Sequence, residues 1–172
     1  MKTLILGGMR SGKSRFAETL AQESGLPVTH IATATADDAE MTARIAHHRR
    51  RRPSGWTVIE EPLALGTHLK THATDNTCLL VDCLTLWLTN LLLAPDDTAL
   101  RLERRALIDT LPNLPGEFIL VSNETGLGVV PLGELTRRYC DEAGRLHQDL
   151  AALCDRVVLM VAGLPLFLKG AS

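Results

Sequence analysis

Five short apolar runs recur along the chain, and amphipathic stretches separate them. The runs are TLIL (3–6), VTHIA (28–32), CLLVD (78–82), EFILVS (117–122) and RVVLMVA (156–162). Their nearly continuous hydrophobicity is typical of strands buried on both faces, as in a parallel sheet that helices cover. A shorter run, TVIE (57–60), is a candidate for one further strand.

Helical periodicity occupies the intervals between these runs. The predicted helices span 13–24, about 38–52, 62–72, 84–93, 99–111 and 133–153. Regular alternation of strand and helix predicts a doubly wound α/β fold, with a mostly parallel sheet and helices on both faces. Because the 172 residues contain no internal repeat and no convincing linker, we predict a single domain over 1–172.

The segment between the first strand and the first helix reads GGMRSGKS (7–14). It fits the pattern GxxxxGK[ST], the phosphate-binding loop of P-loop NTPases. Glycines allow backbone N–H groups to close around phosphate oxygens, and the helix N-terminus adds positive potential. In this motif the lysine reaches the β- and γ-phosphates and the hydroxyl holds Mg²⁺. A chance glycine-rich turn is the alternative, but the strand–loop–helix context favours nucleotide binding. The predicted contacts are Gly7, Gly8, Met9, Arg10, Ser11, Gly12, Lys13 and Ser14.

A second candidate for the metal ion is Asp82, the last residue of the run CLLVD. Open α/β sheets bind their ligands outside the carboxyl ends of the strands. We therefore predict that Asp82 lies near the Mg²⁺ that Ser14 holds. The alternative is that Asp82 caps the helix that follows it, because aspartate is a favoured N-cap residue. The two roles are compatible.

Residues 45–53, IAHHRRRRP, place two histidines directly before four arginines. In a helix over 38–52, His48 ends an apolar stripe with Met41 and Ile45, whereas His47 falls on the side of Arg44. A neutral imidazole can attack phosphorus, and guanidiniums can neutralise the charge that develops there. The same residues also suit a solvated helix end or a basic patch for RNA. The residues alone leave these alternatives open.

Charge and cysteine content narrow the class of protein. The net charge is −2, so no global field attracts nucleic acid or an anionic membrane. We predict neither a signal peptide nor a membrane span, because no apolar run is long enough. The four cysteines have no CxxC spacing, and reduced thiols in the cytoplasm are the simplest interpretation. His68 and His72 have metal-ligand spacing without a supporting carboxylate, so we predict an exposed helix face there.

Longer motifs point to one family. The chain carries LGGMRSGKSRFAE, DDAEMTARIAHHRRRRPSGWTVIEEP, LLVDCLTLWLTNLL, LVSNETGLGVVP, RRYCDEAGRLHQDLA and VVLMVAGLPL. Together these resemble the bifunctional adenosylcobinamide kinase / adenosylcobinamide-phosphate guanylyltransferase family of cobalamin biosynthesis, over nearly the whole length. The histidine–arginine segment and the VSNExGxGxVP segment are the most specific.

The resemblance implies the chemistry of individual residues. The family pattern places a guanylylated histidine four residues after the arginine of RI; here that arginine is Arg44, and the nucleophile is His48 rather than His47. Lys13 acts with Mg²⁺ on the transferring phosphoryl group. GTP is a co-substrate, and ATP is possible for the kinase step. The further implied GTP contacts are Thr33, Ala34, Thr35, Arg49, Arg50, Arg51, Arg52, Glu60 and Asp82.

The resemblance also implies two reactions and an assembly. A nucleoside triphosphate phosphorylates adenosylcobinamide, and His48 then carries GMP from GTP to adenosylcobinamide phosphate. A homotrimer is the family expectation, and no nucleic acid is implied. Asn123 and Glu124 are candidates to polarise the acceptor hydroxyl or a water at the metal; a glycine-containing turn is the alternative for their segment.

Two positions depart from the family, which usually has Arg at Cys140 and Asn at His147. By default we assign His147, like His30, a structural role, and neither departure touches the predicted nucleotide site. If the two positions line the corrinoid pocket or a subunit contact, substrate fit or assembly could differ from the family norm. Two other functions stay open at this point. One is a P-loop small-molecule kinase without guanylylation, and the other is a nucleic-acid-stimulated P-loop ATPase.

Overall fold

The computed structural model of the protein describes residues 1–35 and 53–170. The strands in these ranges are β1 (Lys2–Gly7), β2 (Val28–Ala32), β3 (Thr57–Glu60), β4 (Cys78–Asp82), β5 (Glu117–Asn123), β6 (Arg156–Val161) and β7 (Leu164–Lys169). They form one sheet in the order β3-β2-β4-β5-β1-β6-β7. All neighbouring pairs are parallel except β6 and β7. The predicted mostly parallel sheet is confirmed.

The helices lie close to their predicted bounds. They are α1 (Lys13–Glu23), α2 (Leu65–His72), α3 (Leu84–Leu92), α4 (Thr98–Thr110) and α5 (Glu134–Leu153), with a 3₁₀ turn at Leu111–Asn113. The helix predicted over about 38–52 lies outside the described residues. That residues 1–172 form one domain stays a prediction.

The final strand, β7, is absent from the sequence prediction. It forms a hairpin with β6 through Ala162 and Gly163, whose φ values are 52° and 83°. Two consecutive positive φ values are the signature of the tight turns that match the twist of paired strands. The pattern conceals this strand, because Pro165 interrupts it and three of its leucines are exposed: Leu164, Leu166 and Leu168.

Alternate residues of the central strands are buried on opposite faces of the sheet. On one face Leu4, Leu79 and Leu120 belong to a cluster that also contains residues of α2, α3, α4 and α5. On the other face, Ile5 and Leu80 pack with Ala17 of α1. Helices therefore cover both faces, as predicted. This explains why the strands read as continuous apolar runs.

The parallel arrangement brings several strand ends to one edge of the sheet. The register pairs Ala32 with both Glu60 and Asp82, and Gly7 with Asn123. The candidate site therefore lies at the carboxyl edge, as expected for an open α/β sheet.

One turn at the opposite edge yields a prediction for stability. Gly116 has φ +92°, and a Cβ there would lie 2.3 Å from the backbone oxygen of Thr74. Gly116→Ala is expected to lower the free energy of unfolding by about 2–4 kcal/mol, because left-handed strain and a backbone clash add. Gly25→Ala is the matched control, since Gly25 also has a positive φ but has open space around it. It should cost only about 1 kcal/mol. Chemical denaturation measures both, and equal losses would contradict the role of the clash.

Candidate active site

The phosphate loop, residues 7–14, connects β1 to α1. A Cβ on Gly7 would lie 2.5 Å from Oγ of Ser11 and 2.7 Å from the backbone oxygen of Met160, so only glycine fits there. Gly12 directly precedes α1 with φ +95°, in the left-handed region that glycine adopts at low cost. Gly12 is thus favoured by the local backbone, and Gly7 by the close approach of the loop to β6.

Several polar groups of this loop are left available for an anion. No side chain caps the first turn of α1. Oγ of Ser11 is buried and has no hydrogen-bond partner among residues 1–35 and 53–170. Nζ of Lys13 donates to the backbone oxygen of Gly8 at 2.9 Å, which leaves further donors on the ammonium group. Uncapped N–H groups beside a buried cation fit a phosphate chain.

The environment of Lys13 also locates Asp82. Lys13 is only 8% exposed. Burial lowers the pKa of its ammonium group, and the proximity of Cys83 and Asp82 partly offsets that shift. Burial also raises the pKa of the Cys83 thiol to about 11, so this thiol is neutral near pH 7. Asp82 is therefore an ionisable group close enough to act on Lys13 of the phosphate loop, and its role as a metal ligand stays a prediction.

Thr33, one of the predicted GTP contacts, holds the peptide that follows Asp82. The hydroxyl of Thr33 donates to the backbone oxygen of Cys83 at 2.6 Å and accepts from its N–H at 3.0 Å. Nδ2 of Asn90 donates to the backbone oxygen of Thr33 at 2.9 Å. Asn90 was not among the sequence candidates, because no local pattern links it to a residue 57 positions earlier. Nor does Asp82 cap α3, which begins without a side-chain cap.

These hydrogen bonds predict that the Thr33 hydroxyl stabilises the backbone at Cys83 and does not itself bind the nucleotide. Thr33→Val should lower the free energy of unfolding by about 1–3 kcal/mol, because it leaves the Cys83 amide without its partners. Thr33→Ser is the control, since it keeps the hydroxyl. Denaturation of both variants, combined with the KM for GTP, tests this. A valine variant of normal stability with a raised KM would instead indicate direct contact with the nucleotide.

The structure distinguishes Glu60, the last residue of β3, from Glu61, which follows it. The carboxylate of Glu61 accepts the N–H groups of Leu63 and Ala64 and lies 2.9 Å from Nε2 of His68. Glu61 is therefore committed to the start of α2. Glu60 is exposed at the carboxyl edge of the sheet, and its predicted contact with GTP stays a prediction. The exposed face predicted for His68 and His72 is wrong in part, since both rings are half-buried and stack on each other.

Glu124 lies directly beside the phosphate loop. Its backbone N–H donates to the backbone oxygen of Gly7 at 3.0 Å. Its Oε1 accepts the N–H of Gly126 at 2.6 Å, and its Oε2 lies 3.7 Å from Nδ1 of His147. The sequence predicts a structural role for His147, yet the structure brings its ring close to Glu124, which is hydrogen-bonded to the phosphate loop. Nothing local in the sequence indicates this contact.

The remaining candidates divide into two groups. Ala34 and Thr35 follow β2 and are half-buried, Ser14 lies half-buried in the first turn of α1, and Met9 is exposed in the loop. The predicted nucleophile His48, its neighbour His47 and the four arginines lie outside the described residues. They are Arg49, Arg50, Arg51 and Arg52.

Comparison with known proteins identifies the family. Residues 3–168 match the family model described as cobinamide kinase / cobinamide phosphate guanyltransferase. The chain belongs to this family. It is similar to the bifunctional adenosylcobalamin biosynthesis protein CobP of Pseudomonas aeruginosa, at 65% identity over 99% of this chain and 98% of that protein. It is 38% identical to the bifunctional adenosylcobalamin biosynthesis protein CobU of Escherichia coli, over 98% of this chain and 100% of that protein.

Solved structures that are much less similar in sequence share the fold. A protein of Pyrococcus horikoshii OT3 aligns over 99% of this chain and 87% of its own, with a TM-score of 0.53 and 11% identity. The RadB recombinase aligns over 92% of this chain and 73% of its own, with a TM-score of 0.51 and 15% identity. These likenesses, with the phosphate loop at the end of β1, confirm the predicted P-loop NTPase-type fold of this cobinamide kinase family member.

Two further observations concern the residues that the structure describes. None of their helices has the length and apolar character needed to cross a membrane. The four cysteines of this family member are all free thiols, with Cys78 and Cys154 buried.

Proposed function

We propose that the protein phosphorylates adenosylcobinamide with a nucleoside triphosphate and then transfers GMP from GTP to the resulting phosphate. The observation that supports this most strongly is the phosphate loop with its buried Lys13, next to Asp82 and Glu124, in a chain of this family. The product of the second step is adenosylcobinamide-GDP.

In the kinase step, an acceptor hydroxyl of adenosylcobinamide attacks the γ-phosphorus. The bond from that phosphorus to the β–γ bridging oxygen breaks, and the nucleoside diphosphate leaves. Lys13 stabilises the negative charge on the transferring group, and the N–H groups at the start of α1 hold the remaining phosphates. Glu124, whose backbone N–H donates to Gly7 at the start of the loop, accepts the proton that the hydroxyl loses.

In the guanylylation step, a ring nitrogen of His48 attacks the α-phosphorus of GTP. An N–P bond forms and pyrophosphate leaves. A phosphate oxygen of adenosylcobinamide phosphate then attacks the same phosphorus, and the histidine is released. Covalent catalysis divides one difficult displacement into two easier ones. Arg49, Arg50, Arg51 and Arg52 follow His48 in the chain and are suited to neutralise the phosphate charge.

Ser14 and Asp82 are the residues that would hold Mg²⁺. Within residues 1–35 and 53–170, no group of three His, Cys, Asp or Glu side chains is arranged to hold a metal. One hydroxyl and one carboxylate nevertheless fit Mg²⁺, which commonly takes one or two protein ligands and completes its shell with water and substrate phosphates. When bound, the ion supplies charge neutralisation on the transferring phosphoryl group.

We also propose a cytoplasmic homotrimer. Free, buried thiols are typical of a reducing compartment. Exposed apolar side chains on the segment after β5 favour burial against other copies of the chain. The most exposed of these are Leu127, Val129 and Leu132, at 81%, 95% and 98%. Light scattering on the purified protein measures the assembly, and a monomer at micromolar concentration would contradict it.

The decisive experiment for the function is product analysis. The protein is incubated with adenosylcobinamide, Mg²⁺ and either GTP or ATP, and the corrinoids are separated and weighed by mass spectrometry. The proposal requires a mass gain of one phosphate, followed by a gain of one GMP when GTP is present. A nucleic-acid-stimulated ATPase would instead hydrolyse nucleotide without modifying the corrinoid.

The second candidate is a P-loop kinase that lacks guanylylation. It requires only the phosphate loop and its neighbours, without a nucleophilic role for His48. The two functions differ in a single product. Phosphorylated adenosylcobinamide that accumulates with GTP, without any GDP derivative, would establish the second candidate.

A further inference from the structure

A chain of three polar side chains joins α5 to the end of β5. Nε2 of His147 lies 2.8 Å from Oγ of Ser122, and Nδ1 lies 3.7 Å from Oε2 of Glu124. The imidazole is 7% exposed and Ser122 is 1% exposed. Glu124 is the most accessible of the three, with 21% of its side chain exposed. The buried chain therefore runs from the core toward the edge of the sheet.

The partners of His147 determine which ring nitrogen carries the proton. An ionised carboxylate can only accept hydrogen bonds, so a neutral ring must direct its Nδ1–H toward Glu124. Nε2 then has a free lone pair, and the hydroxyl of Ser122 donates to it. Burial lowers the pKa of His147, an effect that Glu124 partly offsets, so the neutral ring prevails near pH 7. In this tautomer Ser122 donates to Nε2, and Nδ1–H points toward the Glu124 carboxylate at 3.7 Å, longer than a hydrogen bond.

The same residue types form nucleophilic triads in hydrolases, but this set of three side chains does not fit that role. Ser122 lies within β5 and is almost completely buried, so no substrate can reach its hydroxyl. Its hydrogen bond orients the imidazole instead. The accessible end of the chain is the carboxylate of Glu124, which is where chemistry can occur.

Each oxygen of that carboxylate faces a protein group. Oε1 accepts the N–H of Gly126, and Oε2 faces the imidazole of His147. The Glu124 backbone is itself bonded to the oxygen of Gly7, the first residue of the phosphate loop. Among residues 1–35 and 53–170, the imidazole is the side chain shown to face Oε2. Without it, the N–H of Gly126 alone fixes the carboxylate, through Oε1.

We propose that His147 is a positioning residue for phosphoryl transfer, which Ser122 orients and which holds the Glu124 carboxylate toward the acceptor hydroxyl. This inference rests on the proposed kinase function and adds a residue to it. His147 does not exchange a proton in the reaction: the hydroxyl proton passes to Glu124, and the ring stays neutral. A merely structural histidine would contribute to stability alone.

Steady-state kinetics of the kinase step tests the assignment. His147→Ala should lower kcat about tenfold, the usual scale for a partner that orients a reacting group, with the KM for nucleotide changed less than about twofold. His147→Asn should recover most of the rate, because its amide N–H occupies the place of Nδ1–H. Gln148→Ala, at an exposed position on the same helix, is the control for changes to α5. Thermal unfolding of each variant identifies losses due to stability.

A second comparison keeps the proposal testable if the alanine variant is unstable. Glu124→Gln and the double variant Glu124→Gln/His147→Asn should have equal kcat, since His147 acts only through the carboxylate. A further tenfold loss in the double variant would refute this route, as would a normal kcat in a folded His147→Ala protein. If the wild type itself transfers no phosphoryl group to adenosylcobinamide, the proposed function fails. Normal transfer that is insensitive to His147 refutes only the positioning role.

Discussion

Replacement of His48 by alanine is expected to abolish the covalent GMP adduct that we propose for the wild type with GTP and Mg²⁺. The phosphoramidate bond requires a nucleophilic nitrogen, and alanine offers none. Loss of a covalent nucleophile lowers turnover by about 10⁴-fold or more. The guanylyltransferase activity should therefore disappear, whereas the kinase activity should persist, because its residues lie in the phosphate loop and at the ends of β4 and β5. Intact-protein mass spectrometry, with and without acid treatment, detects the adduct.

His47→Ala is the matched control for this experiment. The two histidines are adjacent and precede the same four arginines. The two alanine variants therefore differ only in which histidine is removed. The family pattern assigns the role to His48, four residues after Arg44. Loss of the adduct in His47→Ala alone would keep the mechanism and refute this assignment. An adduct that survives in both variants would place the nucleophile elsewhere.

The second large effect is expected at Lys13. Lys13→Ala should lower kcat for phosphoryl transfer by about 10²- to 10³-fold, because it removes a preorganised cation from the site of developing charge. The ammonium group is buried at the start of α1, so solvent cannot readily replace it. The kcat and the KM for nucleotide are measured separately, since a loss confined to the KM would indicate a role in binding only.

Arg15→Ala provides the control for Lys13. Arg15 lies two residues further along α1 and is exposed, so its removal changes the charge equally but leaves the phosphate loop intact. We expect near-normal kinetics in this variant. A wild-type rate in Lys13→Ala, or an equal loss in Arg15→Ala, would contradict the proposed role of the lysine.

The two substitutions should also differ in which activities they affect. His48→Ala is expected to spare phosphoryl transfer. Lys13→Ala should impair both steps, because we propose that the pyrophosphate that leaves during guanylylation occupies the same loop as the phosphates of the kinase step. Normal adduct formation in Lys13→Ala would indicate two separate nucleotide sites.

Local features of this protein could be predicted because they depend on neighbours in sequence. The phosphate loop is one continuous segment, and the positive φ of Gly12 belongs to its local turn, although Gly7 is also required by the distant backbone of Met160. The strands β1, β4 and β5 were evident because helices bury both of their faces, which demands apolar residues at every position. By contrast β7 is an edge strand with exposed leucines and a proline, and it lacks that signal.

Contacts between distant residues were decided by the order of the strands. Thr33 meets Cys83 because β2 lies next to β4, and the two residues are 50 positions apart. His147 reaches Ser122, 25 positions earlier, because α5 packs beside the end of β5. Hydrophobic periodicity determines which face of each strand or helix is buried, and short motifs determine the local backbone. Neither encodes which strand lies beside which. The polar network that orients Glu124 therefore became visible only once the sheet had brought its members together.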